Sequence, residues 1–142
     1  MLGAGQQLKE SYIRDGRVLL VFNPVLNHND RSYQAHQAAE CAADQGEFWG
    51  FFTYQFENHN RLWGGDIREI VKQLAAEYGL DAAAFNACID EQRHFDTVDA
   101  QDGIRRAKGI RGQPMFDIGG EIYGGAAPFE AFVDIIERQL AQ

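Results

Sequence analysis

Cys41 and Cys88 carry the most reactive chemistry in this 142-residue chain, and they lie far apart in sequence. No Cys-x-x-Cys dithiol spacing occurs among these residues. Three readings of the pair stand open: two buried free thiols, a disulfide between two helices, or one reactive nucleophile. A disulfide closing a loop of that size would contribute about 4 kcal/mol in the chain-entropy treatment. The neighbours Glu40, Asp44 and Asp90 are acidic, and negative charge disfavours a thiolate. His28, His36, His59 and His94 show no His-x-x-x-His spacing, so they read as loop or surface histidines and no metal is expected. No Gly-x-Ser-x-Gly elbow and no phosphate-binding loop occur either.

Two other stretches can carry recognition. Gly109-Ile110-Arg111-Gly112-Gln113-Pro114-Met115-Phe116 places a proline at the start of a short apolar run. Phe48, Trp49, Phe51, Phe52, Tyr54 and Phe56 put six aromatics into nine residues. They read as the core of a helical block, yet they exceed one buried face, so some are expected at a sheet, a partner or a ligand. Trp63 is a second candidate for such a surface. Asp117 stands mid-strand, so it either faces water or pairs with a cation such as Arg17 or Arg111.

The elements that must position these residues follow from periodicity. Gln6–Asp15 reads as a short helix ended by Gly16. Arg17–Phe22 is an apolar run of strand length, of the kind buried on both faces. From Arg31 to Lys108 the chain is mostly helical, with helices expected near 31–45, 47–56, 66–78, 81–90 and 92–108. Asp30, Asp66 and Asp81 stand where caps are needed, and Gly79 closes one helix. Pro114–Ile118 and Glu121–Tyr123 flank Gly119-Gly120, a two-residue hairpin signal. Phe129, Phe132, Ile135, Ile136 and Leu140 mark a closing amphipathic helix. The order is that of an α/β domain with a helical insertion.

Composition bounds the classes. Hydrophobic residues make up 45% and charged residues 24%, which are globular values. The net charge of −8 disfavours nucleic acid as a partner. No apolar run approaches the roughly 20 residues that span a bilayer, so no membrane association is expected. Met1–Gln7 is unlike a secretory signal. A cytoplasmic location is expected if Met1 is the natural start, and an extracytoplasmic one if the chain is cut from a longer exported precursor.

The ordered set of segments resembles the DsbA-like branch of the thioredoxin superfamily. Leu8–Val18 looks like the end of that family's first helix running into its second strand. Ala38–Trp49 looks like the start of its helical insertion, Tyr78–Asp81 and Phe85–Asp90 like later helices, Gly109–Gly120 like the cis-proline strand, and Gly124–Phe132 like the closing helix. The resemblance implies a thioredoxin-like part at 1–24 and 109–142 and an insertion at 25–108. It also implies a first strand and a Cys-x-x-Cys that have no counterpart here, so the expected fold is a thioredoxin-like one that is N-terminally truncated.

Several expectations follow from that resemblance. Some relatives carry a disulfide between insertion helices, which gives Cys41–Cys88 one of its readings. Backbone beside the cis-proline pairs with extended substrates in such folds, so Gln113, Pro114 and Met115, with Trp49 and Trp63, form a groove candidate for an extended peptide or a small thiol. A missing central strand exposes pairing edges, which implies a homodimer. The leading function is a non-catalytic binding or assembly module without a cofactor. The alternatives are a thiol-disulfide oxidoreductase, if the chain is a fragment, and a glutathione-dependent enzyme akin to kappa-class glutathione transferases and hydroxychromene-carboxylate isomerases.

Overall fold

The computed structural model describes residues 4–141. They fall into two compact units: the residues up to Phe22 together with those from Gly109 onward, and the continuous stretch Asn23–Lys108.

The Asn23–Lys108 unit is helical. It contains α2 (Asp30–Ala43), α3 (Phe48–Glu57), a 3-10 turn (His59–Trp63), α4 (Ile67–Tyr78), α5 (Ala82–Asp90) and α6 (Phe95–Ala107). Local chemistry sets these limits. Asp66 accepts from Arg68 N–H at 2.9 Å and Asp81 from Ala84 N–H at 3.0 Å, so each satisfies a donor that its helix leaves unpaired. Gly79 sits at φ 100°, where its N–H and that of Leu80 both return to the carbonyl of Ala75. Asp30 does not cap α2 as expected. Asn29 occupies that place, and Asp30 lies in the first turn, accepting from Gln34 Nε2 at 3.1 Å.

Four helices of this unit close on one core. Ala38, Cys41 and Ala42 of α2, Phe51 of α3, Val71 and Leu74 of α4, and Phe85, Cys88 and Ile89 of α5 are all buried there. The small residues of α2 let its neighbours approach, and Phe51 meets Phe85 edge to face at 5.5 Å. A buried carboxylate fixes the unit's entry segment. Asp102 of α6 accepts from Leu26 N–H at 3.2 Å and pairs with Arg105 Nη2 at 2.5 Å and Arg106 Nη1 at 3.0 Å. The ion pairs compensate a charge that would otherwise be costly to bury.

The other unit holds α1 (Ala4–Leu8), a π-helical turn (Lys9–Ile13), the strands β1 (Met115–Ile118) and β2 (Glu121–Gly124), and α7 (Phe129–Leu140). β1 and β2 pair antiparallel with Ile118 opposite Glu121. Gly119 and Gly120 between them take φ 61° and 90°, the left-handed pair that a two-residue turn requires. α7 lays Phe132 and Ile136 against Tyr12, and Phe116 of β1 meets Phe132 at 4.8 Å.

Two expectations are corrected here. The helix read over Gln6–Asp15 is a short α-helix that widens into the π-helical turn. Arg17–Phe22 belongs to no strand, because a strand exists only when its backbone pairs with another. The segment does keep a strand's period of two. Val18, Leu20 and Phe22 are partly buried, whereas Leu19 and Val21 are 84% and 66% exposed.

Candidate functional site

In the helical unit, Cys41 near the end of α2 and Cys88 near the end of α5 are joined in a disulfide, with Cα atoms 5.9 Å apart. Both are buried, because they sit on the core faces of their helices. The bond closes a loop with a sequence separation of 47. That constraint on the unfolded chain is worth about 4 kcal/mol.

Two side chains stand beside the sulfurs, and neither was singled out from the sequence as belonging to a site. Asp44 follows Cys41 by three residues, so the end of α2 carries both on one face. Its Oδ2 lies 3.7 Å from Cys88 Sγ and 2.9 Å from His94 Nε2. His94 precedes α6, and the turn after α5 brings it back over Cys88. The ligating atoms of Cys41, Cys88 and His94 all lie within 4.8 Å of one another. Arg93 Nη1 approaches the same Asp44 oxygen at 3.6 Å. Nothing in the spacing of the histidines signals this cluster, which a short turn between helices brings together.

The cis-proline candidate lies in the other unit. The Gln113–Pro114 peptide is cis, and Gln113 and Pro114 are exposed. Pro114 O accepts from Gly125 N–H at 2.9 Å, which extends the hairpin by one pair. Met115 is partly buried, and its Sδ lies over Gly124, where an added Cβ would come within 3.1 Å. Asp117 is exposed, and its Oδ1 accepts from Gly120 N–H at 3.0 Å. Its carboxylate thus steadies the hairpin turn, a local use that explains an acid in this strand.

Trp49 and Trp63 belong to the helical unit. Trp49 is 41% exposed and meets Phe48 at 5.1 Å and Phe52 at 6.0 Å. Phe52 in turn meets Phe56 at 4.9 Å, so these rings form a row along one side of α3, while Phe51 enters the core and Tyr54 packs against it. Trp63 is 55% exposed and meets His28 edge-on at 4.9 Å. Beside it, Arg31 donates to the carbonyls of Leu62 at 2.5 Å and Gly65 at 3.0 Å. A shallow recess of about 390 Å³ opens there between His28–Arg31 and Gly65–Ile67.

Electrostatics are most structured around α7. Glu137 accepts from Tyr12 Oη at 2.8 Å and from Arg17 Nη2 at 2.9 Å. The hydrogen bond from Tyr12, then the one from Arg17, holds the Glu137 carboxyl below its ordinary range, and the same bond to Glu137 raises Tyr12. In the helical unit, burial pushes His36 down to about 4, so it is neutral at physiological pH.

A small antiparallel sheet with flanking helices, a cis-proline at the head of β1 and a large helical unit between the two parts of the chain define an α/β, thioredoxin-like fold. A family model described as thioredoxin matches residues 2–138, and the chain belongs to that family. The chain is also similar to the Na(+)/H(+) antiporter NhaA of Herminiimonas arsenicoxydans, at 29% identity over 112 residues. That match takes in 79% of this chain and 17% of the antiporter, so the chain spans less than a fifth of that relative's length. Among the described residues no helix is long and apolar enough to cross a membrane.

Proposed function

We propose that this thioredoxin-family chain is a DsbA-like binding and assembly module that acts without dithiol catalysis and pairs with a second copy of itself. The observation that carries the reading is the apolar strip of Leu19 and Val21, 84% and 66% exposed on an extended segment. A strand-like stretch with apolar side chains on its outer side is a template for association. A second copy presents the same strip, and a two-fold axis lays the two together. The similarity to a fraction of a much longer protein fits a module that can stand within a longer chain. Gln113, Pro114 and Met115 offer an extended peptide a second place to bind.

Light scattering coupled to size exclusion tests the pairing. The chain is expected to run as a dimer, and Leu19→Lys with Val21→Lys to run as a monomer with unchanged circular dichroism. A wild-type monomer across the micromolar range overturns the pairing. Thiol-oxidase or insulin-reducing activity above that of Cys41→Ala/Cys88→Ala overturns the non-catalytic reading.

A further inference from the structure

We propose that Cys41, Cys88, His94 and Asp44 form a redox-gated zinc site, closed while the disulfide is intact and opened by its reduction. Two thiolates, an imidazole and a carboxylate are a ligand set that Zn(II) takes in tetrahedral geometry. Such a set needs ligand atoms spaced about 3.3–3.8 Å apart, from bond lengths of about 2.0–2.3 Å. Asp44 Oδ2 is already 3.7 Å from Cys88 Sγ and 2.9 Å from His94 Nε2, and the sulfur and imidazole donors lie within 4.8 Å of one another. Reduction of the covalent bond frees the two sulfurs to act as separate ligands.

The chemistry balances in two steps. A dithiol reductant gives two electrons and two protons to the Cys41–Cys88 bond, leaving two thiols and becoming a disulfide itself. Zn(II) then binds both sulfurs and displaces the two thiol protons to water. Two thiolates, the Asp44 carboxylate and Zn(II) sum to one negative charge, which the guanidinium of Arg93 at 3.6 Å from Asp44 offsets. The sulfurs are buried, while the His94 and Asp44 side chains are 19% and 39% exposed, so an ion enters from the side of those two residues.

The test is metal uptake by the full chain after reduction with a non-chelating phosphine and anaerobic desalting. Titration with Co(II) is expected to give one equivalent, with thiolate-to-metal charge-transfer absorption and the strong visible bands of tetrahedral cobalt, both displaced by Zn(II). The oxidised protein is expected to show neither. His94→Gln is expected to weaken uptake at least tenfold, a loss at the lower end of what disturbing a metal site brings. If reduction alone unfolds the helical unit, Zn(II) is expected to restore its far-ultraviolet circular dichroism. No uptake by the reduced chain overturns the site. So does equal uptake by Cys41→Ser/Cys88→Ser, or affinity unchanged in His94→Gln and in Asp44→Asn, or failure of zinc to refold a reduced, unfolded chain.

Discussion

Tyr12 donates a 2.8 Å hydrogen bond to Glu137 across 125 residues of chain. Arg17 completes the group, its guanidinium lying 4.9 Å from the centre of the Tyr12 ring while it binds the same carboxylate. One carboxylate thereby fastens the amino-terminal helical turns and the start of the extended segment to α7.

Tyr12→Phe and Glu137→Gln should each lower the urea midpoint of unfolding, and the double variant should lose less than the sum, because both remove one bond. The carboxyl of Glu137 is depressed in the folded state. Its contribution is therefore present above its ordinary value and is lost as pH falls through the depressed one. Below pH 4.5 the Glu137→Gln variant should unfold with less dependence on pH than the wild type. Parallel midpoint-against-pH curves for the two proteins would falsify this role.

His36 acts in a different window. Its folded value of about 4 lies below the unfolded 6.5, so the unfolded chain binds the extra proton in between. Stability should be complete above pH 6.5 and decline as pH falls toward 4, by up to about 3 kcal/mol. Denaturant titrations at half-unit intervals measure the slope. His36→Leu should flatten it, and a slope that survives that substitution assigns the acid sensitivity elsewhere.

Gly50 on α3 allows Tyr78 to reach across from α4. A Cβ there would lie 2.0 Å from Tyr78 Oη and 2.8 Å from Glu47 Oε2, the two atoms that share a 2.8 Å hydrogen bond. Gly50→Ala should gain helix propensity of roughly 0.5–1 kcal/mol and still come out destabilised, because the bond must break and the ring must turn away. Tyr78→Phe removes the nearest of these atoms and leaves the ring Cζ at 3.2 Å, so Gly50→Ala should cost markedly less in that background. Thermal unfolding of the four proteins closes the cycle.

Much of the helical unit was legible because its signals are local. Asp66, Asp81 and the Gly79-Leu80 ending act within one turn of chain, so the residues alone specify them. The hairpin was legible for the same reason, since Gly119-Gly120 sets its own geometry. Arg17–Phe22 was not, because an apolar run of that length specifies extension while pairing depends on what lies alongside. The aromatic run on α3 divided as its density implied, with Phe51 inward and Trp49 and Phe56 largely outward. The meeting of His94 with Asp44 was not legible, because it depends on how the turn at Glu91–His94 folds back over α5. Asp117 does face water, one of its two expected placements, while the bond it accepts from Gly120 N–H depends on the turn geometry three residues on.

Because Cys41 and Cys88 both lie inside the Asn23–Lys108 stretch, a cut anywhere between them need not separate the pieces. The Gly64-Gly65 turn, exposed between the 3-10 turn and α4, sits inside that closed loop. A protease that nicks the chain there leaves two fragments that still travel as one molecule and part only when a reductant is added. The staple is thus also insurance against backbone damage anywhere within the loop it closes.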